Sequence, residues 1–157
     1  MTFFQRLPKR LFFLLVVKPV VYLLLGLNIY SAQRLPARGP AILAANHNSH
    51  LDTLVLMALY PLSQLHRVRP VAAADYFLRN RFTSWLSLNV IGIIPLDREG
   101  QVDKEKVFDL CQQALANDEI LLLFPEGSRG EAEKLQPLRK GIYHLARSHP
   151  GTKVVPI

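Results

Sequence analysis

Short apolar runs alternate with amphipathic stretches along most of the chain, and this alternation predicts strands and helices in succession. Apolar runs predict strands near residues 41–45, 68–74, 91–96, 119–124 and 152–157. Between them, apolar positions at helical spacing predict helices near residues 50–59, 76–88, 102–116 and 137–147. Strands that alternate with helices are typical of an α/β fold. We therefore expect a single domain with a mixed, largely parallel sheet flanked by helices.

The N-terminal segment has a different pattern. Residues 11–17 and 20–29 are apolar, Lys18 and Pro19 interrupt them, and Arg6, Lys9 and Arg10 come before them. A spanning helix needs roughly 20 unbroken apolar residues, so this segment either spans a bilayer marginally or lies in its interface as two short helices. A buried core helix is the alternative, which the basic flanks disfavour. We favour the interface. Basic residues ahead of the apolar run favour the cytoplasmic face. We expect a hydrophobic membrane-binding helical segment over 1–34, followed by one domain over 35–157.

Composition narrows the class of protein. With 157 residues, 50% hydrophobic and 20% charged, the chain fits one folded domain with a real core and not a disordered protein. The net charge of +7 favours an anionic partner, and a membrane phospholipid surface fits. Nucleic acid is not expected, because no binding motif or aromatic-basic interleaving is present. The single cysteine, Cys111, is predicted to be a core thiol, and no disulfide within the chain can form.

The first candidate site lies where the strand near 41–45 gives way to a helix. Ser49 and Asp52 have capping-box spacing, so Ser49 is the predicted N-cap and Asp52 lies in the first helical turn. His47 then lies outside the helix, and the turn allows it to meet Asp52. An imidazole held by a carboxylate can take a proton from a hydroxyl, which makes His47 a candidate general base. The alternative is that Asp52 only caps the helix and His47 is an ordinary turn residue.

A second candidate site, over residues 124–130, follows the apolar run at 120–123. Gly127 and Gly130 would let the backbone approach a ligand, and Arg129 offers a planar fork of donors for phosphate or carboxylate. Ser128 is a poor candidate for a hydrolase nucleophile, because Glu126 stands where the G-x-S-x-G pattern needs glycine. The alternative is a solvated loop.

A third strand-end site is Arg98, which follows the apolar run at 91–96. On its own, Arg98 is more simply a surface charge paired with Asp97 or Glu99. Loops at one edge of an open α/β sheet converge, however, so the three sites together predict one crevice. That crevice would hold a base, a carboxylate and two guanidinium groups.

Four sequence blocks resemble the glycerolipid acyltransferase family. Residues 46–52 match its N-H-x-S-x-x-D block, residues 92–98 resemble the second block, residues 124–129 match the third, and residues 155–157 are similar to the fourth. The resemblance extends from about residue 41 to the end of the chain. It implies that His47 is the catalytic base and Asp52 its partner. The substrate-binding set that it implies is Asn46, Ser49, Arg98, Glu126, Gly127, Ser128 and Arg129.

The resemblance also implies a reaction. The family moves a fatty acyl group from acyl-CoA or acyl carrier protein to a glycerol hydroxyl of a lysophospholipid, most commonly turning 1-acylglycerol 3-phosphate into phosphatidic acid. It uses no metal, no cofactor and no covalent acyl-enzyme. Residues 71–75 lack a lysine that relatives often carry, and Pro95 stands where an aromatic residue is common. A different acceptor within the family is therefore an alternative. Relatives usually continue beyond the fourth block, so we expect a chain truncated at its C-terminus.

Two other function classes remain open. His47, His50 and Asp52 are also metal-ligand types, which would suit a metal-dependent phosphoester hydrolase. A catalytically silent membrane-bound binding module is the third possibility. Separately, Trp85 and the nearby Phe77, Phe82 and Leu86 either line an acyl-chain wall or pack in the core, and we expect the core.

Overall fold

Five strands lie side by side in one sheet. The computed structural model describes residues 3–30, 32–49, 51–73, 80–96, 104–127 and 137–157. The strands are β1 (Ala41–Ala44), β2 (Val68–Ala73), β3 (Ile94–Leu96), β4 (Ile120–Leu123) and β5 (Lys153–Pro156). Their order in the sheet is β3-β2-β4-β1-β5. Each of the four pairings is parallel, so among the described residues the sheet is wholly parallel and not mixed.

Helices connect the strands, as the alternating pattern predicted. They are α1 (Phe3–Phe12), α2 (Asp52–Ala58), α3 (Arg81–Trp85), α4 (Lys104–Ala116) and α5 (Gly141–Ser148). Helix α1 continues through π-helical turns at Phe13–Val17 and Val20–Leu24, and α3 continues through one at Leu86–Ile91. Short 3₁₀ turns lie at Ala32–Arg34 and Leu65–Arg67. Within the described ranges, each predicted strand and helix is present, with shifted ends.

The central strands β1 and β4 are buried on both faces, because helices cover each side, whereas the edge strand β5 is largely exposed. Strand side chains point alternately to the two faces. In β1, Leu43 packs with Phe13 and Met57 on the face covered by α1 and α2. Ile42, its neighbour in β1, packs with Leu115 on the face covered by α4 and α5. This double burial explains why the strands read as continuous apolar runs and not as alternating ones.

The N-terminal helical segment packs against the domain with one side. Phe13, Val17 and Val21 belong to the core on the first face of the sheet. The Nζ atom of Lys18 donates to the carbonyl of Ala58 at 2.8 Å, so the Lys18-Pro19 interruption is accommodated without ending the helical run. Within the described residues, no helix has both the length and the apolar character that crossing a bilayer would need.

The opposite side of this segment is apolar and exposed. Its exposed large apolar side chains include Leu7, Leu11, Leu14, Leu15, Leu23 and Leu24. Phe82 and Trp85 are also exposed, at 72% and 54%, so the prediction that they pack in the core is wrong. Leu86 is half-buried, and Phe77 lies outside the described residues. Phe82 and Trp85 belong to α3, whose π-helical continuation packs beside α1. Their ring faces are left outside the domain because the side of this helix that meets the core carries Ser87, Val90 and Ile91 instead.

Candidate active site

The candidate residues lie at the carboxyl edge of the sheet. His47 follows β1, and Phe124, Glu126 and Gly127 follow β4. Strands β1 and β4 are neighbours and run parallel, with Ala44 opposite Leu123 at their last residues. Because parallel neighbours end at the same edge, the two turns meet there. The predicted convergence of the first and second sites is confirmed for these residues.

His47 and Asp52 meet across the turn between β1 and α2. Nδ1 of His47 lies 3.1 Å from Oδ2 of Asp52. The same oxygen accepts hydrogen bonds from the backbone N–H groups of Asn48 and Ser49, each at 2.8 Å. Three donors fix this carboxylate. With its proton on Nδ1, the imidazole donates to Asp52 and presents Nε2 as an acceptor, which is the arrangement a general base needs.

The capping prediction is correct in chemistry and wrong in position. Helix α2 begins at Asp52 with Leu51 as its N-cap, not Ser49, because the backbone N–H of Val55 makes the first helical bond to the carbonyl of Leu51. Ser49 lies one turn earlier and is exposed. Its hydroxyl oxygen accepts from the N–H of Leu51 at 3.2 Å, while its own N–H donates to Asp52. These bonds stabilise the turn before the helix, and the helix itself begins at Asp52.

Phe124 is a part of the site that sequence reasoning did not assign. Its ring stacks on the imidazole of His47, with centroids 4.1 Å apart and planes inclined by 24°. The stack covers one face of the imidazole and blocks neither ring nitrogen in the ring plane, where Nδ1 meets Asp52. Phe124 is the last residue of the predicted strand 119–124 and follows the observed strand β4, but the sequence held no signal that β4 would lie beside β1.

Glu126 is buried in the turn after β4. Only 3% of its surface is exposed, and among the described residues neither carboxylate oxygen has a hydrogen-bond partner. A buried polar group without a partner is rare and calls for a physical explanation, such as donors supplied by a ligand. Glu126 therefore offers acceptor oxygens at the same edge as His47.

Arg139 holds this turn from a distant part of the chain. Its backbone N–H donates to the carbonyl of Pro125 at 2.8 Å, and its Nε donates to the carbonyl of Glu126 at 3.3 Å. Gly127 has φ +73° and lies directly under the Arg139 side chain, so a Cβ there would collide with Nε of Arg139. The glycine is thus required twice, once by the backbone and once by the close approach. Sequence reasoning missed Arg139, which lies outside the motifs.

An apolar cavity of about 200 Å³ opens behind the turn, on the face covered by α4 and α5. Phe124, Pro125 and Gly127 line its end at the carboxyl edge, and Val107 and Cys111 of α4 line its wall. The Cys111 thiol is buried, as predicted, and burial raises its pKa to about 11. The thiol therefore stays protonated and contributes to the wall as a small apolar group. Phe124 thus lines the cavity and also stacks on the imidazole of His47.

Several predicted residues cannot be placed in this geometry. Arg98, Ser128 and Arg129 lie outside the described residues, and so does His50. Asn46 is described and exposed, next to His47 in the turn after β1. Among the described residues, no three His, Cys, Asp or Glu side chains form a group that could hold a metal ion.

Comparison with known proteins identifies similar chains. A family model described as Acyltransferase matches residues 26–157. The 1-acyl-sn-glycerol-3-phosphate acyltransferase alpha of Mus musculus is 29% identical over 120 residues, which are 76% of this chain and 40% of that protein. A chloroplastic 1-acyl-sn-glycerol-3-phosphate acyltransferase of Arabidopsis thaliana is 26% identical over 138 residues, or 87% of this chain and 36% of that protein.

A third relative is a 1-acyl-sn-glycerol-3-phosphate acyltransferase of Chlamydomonas reinhardtii, 30% identical over 123 residues, which are 78% of this chain and 34% of that protein. The matched parts thus cover between 34% and 40% of these three relatives. No solved structure matches this chain. All four named blocks lie inside the range that the family model matches.

Proposed function

This chain belongs to the acyltransferase family, and on that premise we propose that it transfers a fatty acyl group from a thioester donor to a glycerol hydroxyl of a lysophospholipid. The acceptor is 1-acylglycerol 3-phosphate and the product is phosphatidic acid. The relatives' names support this acceptor, because each is a 1-acyl-sn-glycerol-3-phosphate acyltransferase. The observation that carries the proposal is the contact between His47 and Asp52 at the carboxyl edge of the sheet.

In the proposed mechanism, Nε2 of His47 takes the proton of the glycerol hydroxyl while the hydroxyl oxygen attacks the thioester carbonyl. Asp52 stabilises the imidazolium that forms and keeps the ring oriented through Nδ1. The tetrahedral intermediate then collapses, the carbon–sulfur bond breaks, and the thiolate takes the proton from the imidazolium. A thiolate is a good leaving group, so one base suffices and no covalent acyl-enzyme is needed.

The acceptor is held at the same edge. We assign Glu126 to a glycerol hydroxyl, because its buried carboxylate oxygens lack partners among the described residues. Gly127 lets the acceptor approach the backbone of the turn. Arg98, Ser128 and Arg129 carry the phosphate, and Asn46 and Ser49 complete the rim near His47. Binding energy at the phosphate would then orient the reacting hydroxyl.

The acyl donor is acyl-CoA or acyl carrier protein, and no metal or cofactor takes part. The apolar cavity beside Phe124 receives the start of the acyl chain, since an apolar wall on this side of the imidazole suits a hydrocarbon. The enzyme works at the cytoplasmic face of a membrane. Its N-terminal segment lies in the interface on the apolar side that carries Leu11 and Leu15, which are 45% and 68% exposed.

The test is acyl transfer measured with labelled acyl-CoA, labelled acyl carrier protein and a panel of lysolipids. The wild-type chain is expected to form labelled phosphatidic acid, and His47→Ala is expected to form none above background while keeping its thermal melting temperature. His144→Ala is the matched control, because His144 is exposed on α5. Transfer that persists in His47→Ala would refute the assigned base, and loss of turnover on chelation with EDTA would favour the metal-dependent hydrolase instead.

A further inference from the structure

A second group of polar side chains lies at the opposite, amino edge of the sheet. The Nζ atom of Lys9, in α1, donates to the carbonyl of Val68, the first residue of β2, at 3.1 Å. Lys9 is 2% exposed. This bond fixes α1 against the start of β2 and against the 3₁₀ turn Leu65–Arg67 that precedes it. His47, by contrast, follows the last residue of β1, so the two sites lie at opposite edges.

Four half-buried cationic or titratable side chains lie on α1 and on the 3₁₀ turn that packs against it. Arg6 and Arg10 belong to α1, and His66 and Arg67 belong to the 3₁₀ turn. The Nε atoms of Arg6 and Arg10 are buried and have no hydrogen-bond partner among the described residues, and the same holds for Nδ1 of His66. Buried donors are normally satisfied, so two unused arginine N–H donors at one interface, with an unpaired imidazole nitrogen beside them, indicate a ligand with several acceptor oxygens.

No carboxylate in the described part of the chain neutralises this cluster. The nearby acid, Glu119, is bound instead to Arg69, with 3.6 Å between Oε2 and NH1. The ion pair of His47 and Asp52 lies at the opposite, carboxyl edge of the sheet. Among the described residues, the guanidinium groups of Arg6, Arg10 and Arg67 therefore have no carboxylate counterion.

The charges are close enough to act on one another. The pKa of His66 is lowered, first by burial and then by the charges of Arg6 and Arg67, while the carbonyl of Ser63 opposes the shift and Arg10 adds to it. Mutual repulsion of this kind is relieved when an anion binds between the cations. The cluster thus has the electrostatics of an anion-binding site.

The surroundings of the cluster select the anion. The outward side of α1 carries the exposed Leu7 and Leu11, on the side of the helix away from Lys9. A helix with one apolar exposed side and basic residues beside it is typical of a segment that lies at the level of phospholipid headgroups. A soluble anion would gain nothing from this apolar side, whereas a headgroup phosphate would be held next to it.

We propose that Arg6, Arg10, His66 and Arg67 form a binding site for the phosphate of an anionic membrane phospholipid, separate from the site of acyl transfer. The site rests on the membrane attachment proposed above. Its role is positional, because a headgroup bound here fixes how the domain sits on the bilayer. It involves no bond making or breaking.

The experiment measures partition of the full chain onto vesicles of phosphatidylcholine alone and of phosphatidylcholine mixed with phosphatidylglycerol. Wild type is expected to bind the mixed vesicles more tightly. Arg6→Gln with Arg10→Gln should weaken binding to the mixed vesicles by roughly fivefold for each arginine and leave binding to phosphatidylcholine almost unchanged. The control, Lys106→Gln with Arg147→Gln, removes the same charge from exposed positions on α4 and α5 and should have little effect.

The outcomes separate the hypotheses. Equal losses in the arginine variant and the control would mean diffuse electrostatics, and no loss in the arginine variant would also overturn the site. Inorganic phosphate could bind the chain in solution while the arginine variant and the control variant partition onto the mixed vesicles alike. In that case the ligand is a free anion and the lipid assignment is wrong. If wild type binds neither vesicle, membrane attachment itself fails.

A second pair of changes guards against loss of folding. If the variant of Arg6 and Arg10 melts far below wild type, His66→Gln with Arg67→Gln tests the same site from another element, and it should weaken binding to the mixed vesicles selectively. In both variants, acyl transfer to detergent-dispersed acceptor should match wild type, since the carboxyl edge is unchanged. Loss of that transfer together with wild-type partition would contradict the proposal.

Discussion

The imidazole of His47 lies flat against the ring of Phe124, with 4.1 Å between the ring centroids, while its Nδ1 atom is held by Asp52. One contact limits tilting of the ring and the other limits its rotation. Together they aim Nε2 in a fixed direction. Since misplacement of a base by about 1 Å can cost roughly 10²-fold in rate, this double restraint has a direct consequence for catalysis.

Phe124→Leu tests the stacking restraint. Leucine keeps the apolar volume beside the cavity but removes the aromatic face, which also stabilises the imidazolium form of His47. We expect kcat to fall roughly tenfold, with the KM for the acceptor little changed. Steady-state kinetics with detergent-dispersed acceptor measure both constants. Phe82→Leu, a change at an exposed phenylalanine remote from the site, should leave kcat unchanged. A wild-type kcat in Phe124→Leu would show that the stack does not position the base.

Asp52→Asn tests the carboxylate. The asparagine oxygen can still accept from the backbone N–H groups of Asn48 and Ser49, but it no longer carries the charge that stabilises an imidazolium. We expect kcat to fall about 10²- to 10⁴-fold with little change in melting temperature. Asp109→Asn, at an exposed position on α4, is the matched control and should act as wild type. If the kcat of Asp52→Asn equals that of Asp109→Asn, Asp52 only stabilises the turn before α2 and takes no part in acyl transfer.

Local pattern predicted β1 and β4 because both strands are buried on both faces. The apolar runs at Ala41–Ala44 and Ile120–Leu123 could be recognised without knowing their neighbours, since a parallel strand in a covered sheet must be apolar throughout. The pairing of His47 with Asp52 was also within reach, because both lie on one short turn whose hydrogen bonds are local.

Contacts between residues far apart in the sequence could not be predicted from local patterns. Phe124 meets His47 only because β4 inserts between β2 and β1, and nothing in the sequence of either strand encodes that neighbour. Arg139 reaches the turn of Glu126 across 13 residues of chain. The burial of Lys9 depends on Val68, 59 residues away. Even the start of α2 was misplaced, because Ser49 bonds backbone groups as a cap does while the helical ladder begins later.

Gly127→Ala tests the turn that carries Glu126. A residue with a side chain is strained at φ +73°, and its Cβ would push against Arg139. We expect a loss of about 1–2 kcal/mol in the free energy of unfolding and a larger fall in acyl transfer than in stability. Gly141→Ala is the control, since nothing lies near a Cβ at that position. Denaturant titration and an acyl-transfer assay measure the two effects.

The same site allows a two-step comparison. Adding Arg139→Ala to Gly127→Ala removes the collision but not the backbone strain, so the double variant should lose less stability than the sum of the single changes. Strict additivity of the two losses would mean that Arg139 does not press on the turn.

Filling the apolar cavity tests whether it receives the acyl chain. Cys111→Phe places extra volume in a space of about 200 Å³. We expect kcat/KM for long-chain donors to fall at least about tenfold relative to short-chain donors, because a pocket discriminates by volume. Cys111→Ala is the control and should not change the preference. A uniform fall for donors of every length would place the acyl chain elsewhere.

Lys9 gives a prediction about pH. Burial, and then the charge of Arg69, lower its pKa from 10.5 to about 7, while Glu119 opposes the shift. Between these two values the unfolded chain carries a proton on Lys9 that the folded chain lacks, so the free energy of unfolding rises with pH. One such proton adds about 1.4 kcal/mol per pH unit, and the rise ends at each limit, where both states have the same charge.

Lys9→Met removes the titratable amine. The free energy of unfolding of this variant should therefore rise less steeply between pH 7 and pH 10.5 than that of wild type. Near pH 7 and below, the variant avoids the cost of burying a charge, and at high pH it only lacks the bond from Nζ to the carbonyl of Val68. Denaturant titrations at several pH values, compared with wild type and with the exposed control Lys106→Met, measure the difference in slope. Parallel curves for wild type and Lys9→Met would mean that Lys9 keeps its proton in the folded protein, and that charged Lys9 belongs with the cationic groups at the amino edge.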